Sequence, residues 1–124
     1  MTATVLIAED DEDILDLVRF PLVRAGFAVL ACRDGETALR LGVDERPDAA
    51  VLDVQMPRID GLEVTRRLRA DTGTRDMAIL ILTASVREQE VVRAFEAGAD
   101  DFLRKPFRPQ ELPERVRVVL SSRS

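Results

Sequence analysis

Five short apolar runs, almost free of polar residues, constrain the fold of this chain more than any other feature of it. They are TVLIA (4–8), AVLAC (28–32), AAVLD (49–53), AILILT (78–83) and DFLR (101–104). A strand with one wet face alternates apolar and polar residues. A strand covered on both faces does not, and such strands belong to parallel sheets layered between helices. Longer helical patterns fill the gaps, near 11–25, 35–45, 61–70, 86–97 and 108–121. In the last of these Leu112, Val116, Val119 and Leu120 recur at helical spacing and form one apolar stripe. Five strand–helix units with right-handed crossovers give a doubly wound α/β sheet with helices on both faces.

Local punctuation agrees with that frame. Gly26 and Gly98 suit the ends of helices, and Pro109 suits the first turn of the last one. Pro21 falls inside a helix, where losing one backbone bond and crowding the preceding turn costs about 3 kcal/mol. A kink is expected there, not a break. Pro113 lies close enough to a helix start to cost less. With 124 residues, no internal repeat and no linker, the chain reads as one domain over 1–124. The closing SSRS fits either a frayed end or the start of a linker.

Charge and cysteine usage narrow the function classes. The net charge is −5 and lysine and arginine form no run, which argues against this domain gripping a nucleic-acid backbone itself. No stretch approaches the roughly 18 apolar residues of a membrane span. MTATVLIAEDD carries no basic region or cleavage site, so a cytoplasmic protein is expected. Cys32 is alone, which excludes a disulfide framework and leaves it as a small core hydrophobe.

In an open α/β sheet, ligands bind beyond the carboxyl ends of the strands, near the switch in strand order. The first strand runs into Glu9, Asp10 and Asp11; the third ends at Asp53, the fourth at Thr83, and the fifth leads to Lys105. Acidic residues after the first strand would repel a phosphate-bearing nucleotide, and no glycine-rich loop takes their place. Two carboxylates about 4 Å apart repel by about 4 kcal/mol at an effective dielectric of 20. The cluster therefore has to be exposed, partly protonated or neutralised by a cation. Hard oxygen donors on loops suit Mg²⁺. Asp11, Glu12 and Asp13 are read more simply, as acidic residues favoured at a helix start. Asp53 is different, because an aspartate ending a buried run is rarely left unpaired.

A carboxylate beside Mg²⁺ can attack phosphorus and form an aspartyl phosphate. Lys105 then has a purpose. It is the only lysine among 18 basic residues, and a compact ammonium can neutralise one phosphoryl oxygen, or Asp53 when none is present. Thr83 could donate its hydroxyl to another oxygen.

At these residues the chain resembles the receiver domains of bacterial two-component response regulators, of the CheY-like superfamily. The matching motifs are VLIAEDD, LDVQMPRIDG around Asp53, LTA at 82–84, GADDF at 98–102 and KPF at 105–107. The resemblance spans nearly the whole chain. It implies a flavodoxin-like five-stranded sheet in the order 2-1-3-4-5 with five helices, in a receiver that either stands alone or is excised from a longer regulator. It implies Asp53 as the phosphoacceptor, supplied by a sensor histidine kinase or a phosphotransfer protein, in a signalling switch and not an enzyme. Asp10 and Asp53 would bind Mg²⁺ directly, Gln55 through its backbone carbonyl and Glu9 through water. Thr83 and Phe102 would be the switch residues, Lys105 the family lysine, and Lys105–Pro106 a cis peptide bond.

Arg93, Asp100, Asp101, Glu111 and Arg115 resemble the charge pattern on the fourth helix, fifth strand and fifth helix of DNA-binding regulators, a face that forms homodimers there. Pro113 and Arg108, which stands where a capping serine or threonine is preferred, depart from the family pattern. Two other functions fit parts of the same pattern. A phosphatase of the haloacid dehalogenase type would need a second acid two residues after the nucleophile, where Gln55 stands. A degenerate receiver acting only as an interaction module would not need all the key side chains, and all are present.

Overall fold

The computed structural model describes residues 2–85 and 87–123. Ten elements alternate strictly: β1 Thr4–Ala8, α1 Glu12–Arg24, β2 Ala28–Cys32, α2 Gly35–Glu45, β3 Ala49–Asp53, α3 Gly61–Ala70, β4 Ala78–Thr83, α4 Glu88–Ala97, β5 Asp101–Arg104 and α5 Glu111–Arg123. The five strands form one sheet in the order β2-β1-β3-β4-β5, every pair parallel. This is the flavodoxin-like arrangement, and its strand order reverses between β1 and β3.

Strand alternation sorts side chains to the two faces. Val5, Ile7, Val51, Leu80 and Leu82 pack with Leu15, Val18 and Leu22 of α1 and Leu112, Val116 and Val119 of α5. Leu6, Ala8, Leu52, Ile79 and Ile81 pack with Ala38 of α2, Val64 and Leu68 of α3 and Ala94 of α4. Every residue of β3 is buried, so the central strand carries Asp53 to the rim on a rigid element.

All five strands fall on the predicted runs. β2, however, is an edge strand with Ala28 and Ala31 exposed; its run looks buried only because its exposed residues are small and apolar. Helix α1 continues through Pro21. The carbonyl that loses its donor there belongs to Leu17, an exposed residue. Gly26 follows the cap of that helix at φ 97° and Gly98 caps α4 at φ 110°, both in the left-handed region.

The last helix starts later than expected. Pro109 and Gln110 form a turn, and Pro113 occupies the first turn of α5, where a missing N–H costs little. Arg108 is therefore not the cap of a helix starting at Pro109; its carbonyl accepts from Glu111 N. Val86, inside the expected range of the fourth helix, lies outside the described residues. Among the described residues no helix is long and apolar enough to cross a membrane.

Candidate functional site

Each site residue is delivered by a strand end or by the loop that follows it. Glu9 leaves β1 with its N–H bonded to the Cys32 carbonyl at 3.1 Å. Asp11 then caps α1, its carboxylate accepting from Asp13 N and Ile14 N. Asp53 closes β3, and the loop behind it is tied back by Val54 N to Leu82 O and Gly61 N to Val54 O. Gly61 is required there, because a Cβ would overlap the Asp53 carbonyl. Asp60 caps α3 by accepting from Glu63 N at 2.8 Å. The Lys105–Pro106 peptide is cis.

Lys105 is the centre of the arrangement. Its Nζ lies 2.7 Å from Glu9 Oε1 and 2.9 Å from Asp53 Oδ1. The lysine side chain is 19% exposed, against 0% for Glu9 and 6% for Asp53. Glu9, Asp10 and Asp53 each place a carboxylate oxygen within 4.8 Å of the others. The repulsion expected from the sequence is relieved in three ways: Asp10 is exposed, Lys105 neutralises the buried pair, and Glu9 tends to hold a proton. Burial, a hydrogen bond with Asp53 and its negative charge push the Glu9 pKa up to about 8, against the opposing pull of Lys105. For Lys105, burial opposes the charge, but the bonds to Glu9 and Asp53 outweigh it and the pKa is raised.

The donor set fits a hard divalent cation. It consists of carboxylate oxygens, and Glu9 Oε2 is buried with no hydrogen-bond partner among the described residues. A cleft of about 510 Å³ opens over these groups, lined also by Gln55, Thr83, Ser85, Val91, Ala94 and Phe102. Gln55 is exposed at its edge. The Thr83 hydroxyl is turned to its own loop, donating to Ser85 O at 3.0 Å and accepting from Ser85 N at 3.1 Å. Phe102 is half-buried, edge-on to Phe95 of α4 at 6.0 Å and 79°. The carboxylates and Lys105 are thus brought together, whereas Thr83 and Phe102 line the same cleft but turn to Ser85 and Phe95.

Two features were not read from the sequence. Glu9 is fully buried and shares Lys105 with Asp53. Arg33, just after β2, donates to the Asp10 carbonyl; its only signal was a cation directly after a strand. On the opposite side, Arg115 pairs with Asp101 at 2.9 Å and approaches Glu111 at 3.8 Å. Asp100 holds Arg69 and Arg123. Four of the five charges expected on that face are therefore engaged within the chain.

An order 2-1-3-4-5 sheet with buried carboxylates and one lysine gathered at its carboxyl rim defines the receiver class of signalling domains. The family model for the response regulator receiver domain matches residues 5–117. The chain belongs to that family. It is 41% identical over 97% of its length to the alkaline phosphatase synthesis transcriptional regulatory protein PhoP of Bacillus subtilis, covering 49% of that protein. It is 47% identical over 97% of its length to the response regulator MprA of Mycolicibacterium vanbaalenii, covering 51% of it. The chain thus spans about half the length of these relatives. Among solved structures, the receiver domain of the sensor histidine kinase PA1611 from Pseudomonas aeruginosa superposes with a TM-score of 0.89 at 29% identity, covering 98% of this chain and 99% of that one; it has a magnesium ion coordinated in its active-site cleft.

Removing one charge from the crowded rim gives a direct stability prediction. Asp53→Asn is expected to stabilise the metal-free protein by about 1 kcal/mol, because Glu9 then no longer shares Lys105 with a second carboxylate. Thermal melts in chelator check this, and a clear loss of stability in the variant contradicts it.

Proposed function

We propose that residues 1–124 form a phosphoacceptor receiver, standing alone or as part of a longer cytoplasmic regulator, in which Asp53 takes a phosphoryl group from a histidine kinase or a phosphotransfer protein. The observation that carries this reading is Lys105 bridging Asp53 and the buried Glu9 beneath an open cleft. In the transfer an Asp53 oxygen forms the new bond to phosphorus as the bond from phosphorus to the donor's histidine nitrogen breaks. The electron pair leaves on that nitrogen, which takes up a proton from solvent. Lys105 then moves its charge from the Asp53 carboxylate to a phosphoryl oxygen.

Asp10 and Asp53 would hold Mg²⁺ directly, with the Gln55 carbonyl, and with Glu9 through water. Bound there, the cation neutralises charge on the carboxylates and the phosphoryl oxygens. The chain's own part is positioning, which β1 and β3 provide. The limited self-catalysed transfer and hydrolysis of such a switch would use the same Asp53, Thr83 and Lys105.

Switching follows from the contacts Thr83 has to exchange. To reach a phosphoryl oxygen its hydroxyl must leave Ser85. Phe102 lines the same cleft and would turn inward, releasing its edge contact with Phe95 on α4. The α4–β5–α5 face is then the output surface, through a population shift between two packings. A homodimer through that face would have to re-pair Arg115, Asp101 and Glu111, now engaged within one chain. Direct contact of this domain with nucleic acid is no part of the proposal, in keeping with its net charge of −5.

Beryllofluoride with Mg²⁺ tests the reading without a kinase. Amide shifts are expected around Asp53, Thr83 and Phe102 and along α4, and none in Asp53→Asn. Unchanged spectra of a folded wild-type protein that binds Mg²⁺ would instead favour a degenerate receiver acting as an interaction module.

A further inference from the structure

We propose that Arg33 is a positioning residue for the acidic loop: its guanidinium fixes the Asp10 peptide and thereby sets the affinity of the rim for Mg²⁺. This rests on the reading of the rim as a Mg²⁺ site given above. Strand β2 ends at Cys32, whose carbonyl accepts from Glu9 N at 3.1 Å. The next residue reaches back over the same loop, and Arg33 donates from Nε at 3.3 Å and Nη2 at 3.0 Å to the Asp10 carbonyl oxygen. Two polar groups of the Glu9–Asp10 segment are thus held from one point on the edge strand. On the far side Asp11 is fixed as the cap of α1. The tie from Arg33 is what prevents the peptide after Asp10 from rotating between those two anchors.

Rotation of that peptide would swing the Asp10 carboxylate away from Glu9 and Asp53, whose carboxylate oxygens now lie within 4.8 Å of its own. A planar fork can place two N–H groups on one oxygen and resist such rotation, whereas an ammonium presents a point donor. Arg33 is exposed, so its removal should barely change the stability of the fold.

Positioning and simple charge make opposite predictions, because a cation near the rim repels Mg²⁺ if charge is all that it contributes. Mg²⁺ titration of the whole chain, followed by calorimetry and by the Asp11 amide shift, separates them; melts in chelator run beside it. Arg33→Ala is expected to weaken Mg²⁺ binding about five- to tenfold, at the lower end of what outer partners of metal ligands contribute. Arg33→Lys, which keeps the charge without the fork, should recover only part of that. Both variants should melt with the wild type in chelator. Unchanged or tighter Mg²⁺ binding in Arg33→Ala overturns the inference while leaving the Mg²⁺ site itself standing. Absence of Mg²⁺ binding in the wild type overturns both.

Discussion

Lys105→Met is expected to lower the stability of the metal-free protein by about 2–3 kcal/mol, and Mg²⁺ is expected to return most of that loss. Removing one partner of a buried ion pair leaves an uncompensated charge and typically costs about 3–5 kcal/mol. Here two carboxylates at 0% and 6% side-chain exposure lose the same ammonium. The partial exposure of Lys105 and the tendency of Glu9 to hold a proton reduce the cost. Raised as it is, the Lys105 pKa keeps the ammonium charged throughout the neutral range. Its contribution is present below its ordinary value of 10.5 and is lost only as pH rises past the folded one. Urea unfolding in chelator and in saturating Mg²⁺ separates the two roles of charge. An equal loss in both conditions would mean that Lys105 acts through packing, and no loss in chelator would remove it from the centre of the site.

The second large effect concerns pH. The folded protein keeps a proton on Glu9 up to about 8, whereas the unfolded chain releases it near 4.5. The sign follows from linkage: the contribution of Glu9 to stability is full below 4.5 and declines as pH rises toward about 8. Glu9→Gln cannot ionise, so it should match the wild type near the lower value and exceed its stability by about 1–3 kcal/mol at the upper one, in chelator. Mg²⁺ reverses the comparison. Binding needs the ionised carboxylate, so wild-type affinity should rise with pH as a proton is released, and the variant should lack that dependence. Melting temperature against pH for both proteins, with and without Mg²⁺, checks all of this. A stability difference that stays constant across the range would contradict it.

The strands were legible because burial on both faces leaves no room for polar residues, and β3 and β4 obey that rule nearly completely. The order of the sheet was not in the runs themselves: AVLAC reads like AAVLD, yet one lies at an edge and the other at the centre. It came with the family resemblance. Helix starts were the weakest part, since Pro109 suits a first helical turn and a preceding turn equally, and the chain uses the second. At the rim, the sequence identified which groups converge because strand ends in a parallel sheet share one side. It could not say how they divide their charges. That Lys105 serves Glu9 as well as Asp53, that Thr83 faces Ser85, and that Arg33 reaches across to Asp10 all depend on rotamers and loop paths set by tertiary packing.

Asp53 is proposed to accept a phosphoryl group. The most direct measurement is the intact mass of the protein after incubation with acetyl phosphate and Mg²⁺, followed by peptide mapping. The expected result is the gain of one phosphoryl group carried by the peptide containing Asp53, absent in Asp53→Asn and absent from the wild type in chelator. A folded, Mg²⁺-binding protein that gains no mass, or gains it elsewhere with Asp53→Asn unaffected, would contradict it.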